Sequence, residues 1–550
     1  MMSSGVTAGV YWLAGDARWR PPQDMTPLTS TVRADICIVG GGFTGLWAAL
    51  TIKRLSASAE VVLVEREFCG SGAAGRNGGW VEGLELVVPA FIARFGEDAA
   101  RWLLESSLRS MDDIGDAVLD GDVDCDFELG GGLIVATCKA HLSSWEEALA
   151  GAARLGREDL FRTLSAEEAQ AASGTSRACG GVLISHAGSV QPALLAQGLR
   201  RLAVEAGAHV FESSPMINLE RSRPAVVETT AGAVIADQVL LATGSWLAAV
   251  PELRRTLFII PAHVVATAPS PELLDGLGWT RGRPFADART TVHYGQRTAD
   301  DRMVFGRGGG RLGFGGRIIP QHFHDQSETD EVIADMHGLF PATREVPIEW
   351  RWGGPVDRAQ HGFPWVGQIG RHGNVHYAAG SSGNGVGPSH FVGRTLASLA
   401  LGLDDEYAAS PLVSEPPTYL PPEPLRYVGA RAVRGAVKRC EDREELGLEP
   451  GPVSGRLRKA TGLSLPKGIV LRTCSRGRES APRRGPTGAT TTHSGHRAER
   501  KHGAWKVLVG APGFEPGTSS LSVRPISLSR STQGDPSSPH DHRAFGLYGC

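Results

Sequence analysis

At 550 residues, with 41% hydrophobic and 21% charged residues, the chain can hold two or three domains and bury a sizeable core. Its net charge of -3 conceals an asymmetry: residues 411–550 hold 22 Lys and Arg against 12 Asp and Glu, leaving 34 against 47 before them. The acidic body argues against nucleic acid as a main partner, no apolar run reaches the roughly 20 residues of a membrane span, and eight cysteines without a C-x-x-C pair make neither a disulfide framework nor a zinc site.

Residues 1–33 form a polar, Pro-containing lead-in with Trp12 and Trp19, read as a surface segment packed on the body. They hold no basic stretch followed by an apolar one, so nothing reads as a secretion signal and a cytoplasmic location is expected. The informative stretch starts at Ala34. Ile36 to Val39 is a short, continuously apolar run, the pattern of a parallel strand buried on both faces. It breaks at G-x-G-x-x-G (Gly40, Gly42 and Gly45, with Phe43 and Thr44 between), and a helical pattern follows. A second apolar run, Val61 to Val64, ends on Glu65 and Arg66. The first glycine permits the tight turn, the second lets backbone approach a pyrophosphate, and the third lets helix and strand pack closely. An acid about 20 residues past the motif can accept hydrogen bonds from ribose hydroxyls, the role expected of Glu65.

Further along, Cys69 to Trp80 carries a Gly- and Ala-rich loop in which backbone can approach something flat or phosphorylated. Helices are expected in 89–119, 145–155 and 192–206, and strands at 129–137, 182–185, 209–212, 216–220, 225–229 and 234–241. The last of these strands runs into Ala242-Thr243-Gly244, a second place for close backbone approach. Residues 251–350 read as a β-rich layer with one helix near 329–339. Then Val375 to Ala379, Gly380 to Pro388 and Phe391 to Leu401 repeat the order strand, Gly-rich turn, helix. His322-x-His324 reads as two exposed loop histidines, and no metal site is expected. Beyond about 411, Pro, Gly, Ser, Thr and Arg dominate and apolar periodicity vanishes, so 411–550 reads as a disordered basic tail. The segment 509–522 resembles peptides that arise when translation runs through a transfer-RNA gene; a basic arm for nucleic acid or an anionic surface is the alternative.

Taken together, IVGGGFTGLWAAL, GAAGRNGG, LLATGSWL, RWGGPVDR and GSSGNGVGPS resemble the D-amino-acid-oxidase-like (DAO) family of FAD-dependent oxidoreductases. The likeness spans roughly 11–405 and is greatest to the bacterial branch with glycine/sarcosine oxidases and gamma-glutamylputrescine oxidase. It implies an α/β fold in which a Rossmann-like (GR2-type) FAD-binding domain, 34–85, 180–250 and 350–405, is interleaved with a β-sheet-rich substrate domain, 86–179 and 251–349. It also implies that Gly40, Gly42 and Gly45 hold the pyrophosphate and Glu65 the ribose. Arg76, Asn77 and Gly78 would lie near the flavin ring and Met216 by the adenine, with Gly383, Asn384, Gly385 and Val386 closing over the pyrimidine end. Covalent tethers in relatives often use a His in the loop matching Arg76–Asn77; none stands there, so FAD is expected to be non-covalent. Ser381 stands where related proteins often carry an aromatic residue.

The implied chemistry is hydride removal from the carbon next to a neutral amine of a small amine or amino acid, delivered to flavin N5. Imine hydrolysis follows, with oxygen or another acceptor taking the electrons. His263, Tyr294 and Arg307 are candidate substrate-facing groups, each with a structural alternative as a satisfied polar side chain. The competing functions are FAD-dependent oxidation of a hydroxy acid or alcohol, and a flavin-bound, non-catalytic protein.

Overall fold

The computed structural model describes residues 9–415 and 419–459. The strand Thr31–Val39 shows why its second half is apolar throughout. It runs parallel to Val61–Val64 on one edge and to Ala233–Leu241 on the other. Alternation then sends Ile36 and Ile38 into one hydrophobic cluster and Cys37 and Val39 into another. The first cluster is closed by the helices Phe43–Leu55, Pro192–Glu205 and Gly387–Leu401 through Leu46, Leu195 and Phe391. Each such side chain, withdrawn from water, contributes about 1.5–3 kcal/mol. The sheet runs in the order Trp365–Gln368, Val375–Ala379, Ala233–Leu241, Thr31–Val39, Val61–Val64, His209–Phe211. An antiparallel flap, Ala225–Thr229 with Met216–Glu220, joins it at Ala233–Leu241.

A second eight-stranded sheet has the order Ile348–Arg358, Phe258–Thr267, Met303–Arg307, His293–Arg297, Phe285–Asp287, Gly132–Ala136, Gly180–Ile184, Phe161–Leu164. Helix Gln326–Leu339 covers one face through Val332, Met336 and Leu339. Trp80 and Tyr294 pack on the cluster at the other face. A two-stranded ribbon pairs Trp80–Glu82 with Ala187–Ser189.

Four expectations need correction. Gly180–Ile184 and Ile348–Arg358, assigned above to the FAD-binding segments, are hydrogen-bonded into the second sheet. Conversely, helices Val88–Phe95 and Glu97–Asp120, assigned to the substrate segments, send Phe91, Leu103 and Met111 into the first cluster. The lead-in is not superficial: Tyr11, Trp12 and Leu13 are 1–2% exposed, and Trp12 Nε1 donates to the Asn77 carbonyl at 2.8 Å. The fourth concerns the tail. Helices Leu425–Glu445 and Pro452–Lys459 lie within the span read as disordered.

The longer helix docks on the second sheet by charge. Arg434 donates to the Gly309 carbonyl at 2.6 Å and to Glu328 at 2.7 Å, Lys438 to Glu331 at 2.9 Å, and Glu441 accepts the Thr291 N–H at 2.9 Å. Residues 460–550, including 509–522, lie outside the described residues. No helix among the described residues is long and apolar enough to cross a membrane.

Candidate active site

A cavity of about 1130 Å³ runs from the first sheet's glycine turn to the second sheet. At the turn, Gly40 has φ +110°, and a β-carbon there would lie 2.6 Å from the Ala242 carbonyl oxygen. A β-carbon on Gly45 would lie 2.0 Å from the Gly40 carbonyl oxygen, so strand and helix meet backbone to backbone. At Gly42 it would meet nothing within 4 Å, because that position faces the cavity. The helix Phe43–Leu55 begins beside it, and its first-turn N–H groups have no intrahelical acceptor. This is a cradle for a negatively charged group of phosphate size.

Glu65 lines the same end. Its Oε2 accepts the Gly41 N–H at 2.7 Å, and its Oε1 accepts the Glu67 N–H at 3.1 Å and the Ser71 hydroxyl at 3.4 Å. Burial raises its pKa, with the Gly41 and Glu67 amides opposing. Arg66 lies 4.5 Å over the Trp246 ring, and Met216, Thr243 and Gly244 complete this part of the wall.

In the middle, the loop 70–80 is fixed by its own polar groups. Asn77 Oδ1 accepts the Gly79 N–H at 2.7 Å, while Nδ2 donates to the Ala73 and Ala74 carbonyls at 3.1 and 3.0 Å. Arg76 is 4% exposed; its Nε donates to the Ser71 carbonyl at 2.9 Å, and burial draws its pKa down to about 10. Gly78 lies flat against Tyr294: a β-carbon there would be 2.5 Å from the ring. Across the cavity, Asn384 Nδ2 donates to the Gly83 carbonyl at 2.6 Å, which holds the loop of Gly383, Asn384, Gly385 and Val386 at the start of helix Gly387–Leu401.

Of the three substrate-side candidates, the cavity wall contains Tyr294. Burial raises its hydroxyl pKa above the ordinary range. His263 and Arg307 are set elsewhere. The ring of His263 fills the space between Gly310 and Gly353, with Nε2 3.1 Å from the Gln321 carbonyl. Arg307 is spent on Asp335 and Glu331, both at 2.8 Å, and on Glu328. Strand alternation is the reason: Gly306 and Gly308 flank Arg307, whose side chain turns to the helix Gln326–Leu339. His322 also departs from expectation, since it is 0% exposed and burial draws its pKa to about 4.

Sequence reasoning passed over several wall residues: Trp80, Glu82, Asp287, Arg289, Asp357 and Arg358. Asp357 and Arg358 stood inside RWGGPVDR, so their motif was visible but their roles were not. Glu82 and Arg289 stood in stretches without a motif.

A parallel sheet with a phosphate turn, opposed across one cavity by a largely antiparallel sheet, defines a dinucleotide-dependent enzyme of two interleaved layers. The family model described as FAD dependent oxidoreductase, DAO, matches residues 35–399, and the chain belongs to that family of FAD-dependent oxidoreductases. It is 28% identical over 403 residues to gamma-glutamylputrescine oxidoreductase of Escherichia coli, covering 72% of this chain and 90% of that protein. It is 26% identical over 220 residues to glycine oxidase of Bacillus licheniformis, which takes in 39% of this chain and 54% of that one. Among solved structures, glycine oxidase from Geobacillus kaustophilus superposes with a TM-score of 0.57 at 20% identity, over 69% of this chain and 98% of that chain. The residues present fit FAD: the open side of Gly42 gives a diphosphate room, and the cavity continues to the Gly78–Tyr294 contact without a side chain at either glycine.

Proposed function

We propose that the protein is a cytoplasmic enzyme that oxidises the C–N bond of a small amine or amino acid, using FAD held without a covalent link. The observation that carries this reading is the single cavity joining the phosphate turn at Gly42 to the Tyr294 wall. FAD, when bound, supplies the hydride acceptor. Gly40, Gly42, Phe43, Thr44 and Gly45 would hold its diphosphate, Glu65 and Arg66 its ribose side, and Met216 its adenine end. Thr243 and Gly244 would border it midway, and Arg76, Asn77, Gly78 and Gly383 to Val386 its ring.

The rest is done by the walls. Tyr294 can offer its hydroxyl to the substrate but not an oxyanion, since burial disfavours ionisation. Leu84, Leu86 and Val87 give the same cavity an apolar stretch of wall that would help exclude water from a bound substrate. The names of the bacterial relatives, an amine and an amino-acid oxidoreductase, support a nitrogen-bearing substrate.

The test is anaerobic bleaching of the yellow holoenzyme by a panel of amines, amino acids, hydroxy acids and alcohols. Amines or amino acids should bleach it, faster as rising pH frees the nitrogen lone pair. Bleaching by hydroxy acids alone would move the assignment to a hydroxy-acid dehydrogenase, and no bleaching by any donor would leave a flavin-bound, non-catalytic protein. Acid precipitation should release the FAD into solution; flavin retained on the denatured chain would refute the non-covalent mode.

A further inference from the structure

One stretch of the cavity wall carries acid that the chain does not neutralise. Glu82 lines the cavity at the end of the ribbon strand Trp80–Glu82, and Glu85 lies behind it, 0% exposed, its carboxylate met by the backbone N–H groups of Gly83 and of Glu85 itself and by no counter-charge. Other buried acids here have partners: Asp287 is against His293 at 2.7 Å, Glu212 against Arg200 at 2.9 Å, and Glu444 against Arg458 at 2.7 Å. Among the described residues no basic group pairs with Glu82 or Glu85. Burial, and then the charge of Glu85, holds the Glu82 carboxyl well above the carboxylate range, and burial raises Glu85 to about 7. An acid withdrawn from water without a counter-charge is costly, and a cation brought by a ligand removes that cost.

The placement is defined. The Glu82 carbonyl oxygen packs on Gly387, where a β-carbon would lie 2.1 Å away, and the Gly83 carbonyl accepts from Asn384 at 2.6 Å. Glu82 is therefore fixed beside the loop Gly383 to Val386, with the Trp80 and Tyr294 rings in the same wall. A carboxylate beside an indole, as Glu82 is beside Trp80 two residues earlier on the same strand, is the chemistry that recognises an alkylammonium, by a charge-assisted hydrogen bond and by cation–π attraction.

Resting on the amine-oxidation reading above, we propose that Glu82, backed by Glu85, determines specificity by binding a cationic nitrogen of the substrate other than the one oxidised. The substrate class is then diamines and longer polyamines. The nitrogen at the reacting carbon must be uncharged when hydride leaves, and a carboxylate beside it would hold it as ammonium. The cation that Glu82 accepts is a second one.

The experiment compares 1,4-diaminobutane with 1-aminobutane on FAD-loaded wild type, Glu82→Gln and Glu82→Asp at pH 7, reading Kd by calorimetry and flavin bleaching anaerobically. Wild type should bind the diamine at least about tenfold more tightly, the effect of one charge-assisted hydrogen bond. Glu82→Gln should erase that preference and Glu82→Asp should weaken it. Should Glu82→Gln fail to hold flavin, Glu82→Asp decides, and an undiminished preference there overturns the proposal. Equal affinity of wild type for the two probes, or a preference intact in Glu82→Gln, also overturns it. Bleaching by both amines without selectivity keeps amine oxidation and removes the cation site. Selective diamine binding without bleaching keeps the cation site and removes amine oxidation.

Discussion

The Asp357 carboxylate clasps the turn that begins at Gly380: its Oδ1 accepts the Ser381 hydroxyl at 2.7 Å, and its Oδ2 accepts the Gly380 N–H at 2.6 Å. Asp357 is the last residue but one of the longest strand of the second sheet, while Gly380 follows a strand of the first, so this one side chain ties the two sheets together at the cavity. Ser381 is committed to this clasp.

Asp357→Ala should therefore loosen the 380–386 loop. Hydrogen bonds to a charged group are worth about 1.5–3 kcal/mol, so FAD should bind roughly tenfold or more weakly, by fluorescence titration, and Ser381→Ala should lose less. Equal FAD affinity in Asp357→Ala and wild type would remove the clasp from the cofactor site.

The two ends of the phosphate turn should respond differently. Gly42→Val places its side chain in open cavity, so the apo-protein should melt at the wild-type temperature while FAD is lost. Glu65→Ala removes acceptors from the Gly41 and Glu67 amides and should lower both the apo melting temperature and FAD affinity, the latter by about 1.5–3 kcal/mol. A Gly42→Val protein with full flavin occupancy would sink the phosphate-turn assignment.

Tyr294 and Arg307 should separate activity from stability. Tyr294→Phe keeps the ring against Gly78 and should slow flavin reduction by about tenfold, one hydrogen bond's worth, at nearly unchanged melting temperature. Arg307→Met leaves Asp335, Glu331 and Glu328 without their shared cation and should destabilise by about 3 kcal/mol in urea titration. Catalytic loss in Arg307→Met without destabilisation would return that residue to the site.

The difference between these two residues also shows where the sequence stopped being legible. Strands and turns whose signal is local, such as Ile36 to Val39, Gly40 to Gly45 and the helix Pro192–Glu205, were readable because one periodicity or one glycine pattern carries each. Tyr294 and Arg307 belong to neighbouring strands of one hairpin, and which residue meets the cavity depends on which face of that hairpin the rest of the fold covers, here by the helix Gln326–Leu339 on the Arg307 side. The helix Leu425–Glu445 was hidden for another reason. Its buried apolar residues are few, Ala436, Val437 and Cys440, and its docking partners are charges whose counterparts lie 100 or more residues earlier. Glu82 lacked a motif, and its meaning comes from what does not surround it.

That charge-based docking gives a pH dependence. His141 and Glu444, 5% and 6% exposed, lie 3.8 Å apart between the second-sheet domain and the helix Leu425–Glu445. Burial pulls the His141 pKa down, but Cys138 and Glu444 outweigh it and raise it to about 9. Burial works upward on Glu444, but His141 and Arg458 hold it down at about 2. A raised His contributes stability that is full below its ordinary 6.5 and is lost as pH rises through about 9. A lowered Glu contributes stability that is full above its ordinary 4.5 and is lost as pH falls through about 2. The helix should thus be held most firmly between pH 4.5 and 6.5. Hydrogen exchange of 425–445, corrected for the intrinsic rate, should show protection falling on the alkaline side, and His141→Leu should remove that alkaline limb. Protection that stays level through pH 9 in the wild type would show that this pair does not hold the helix.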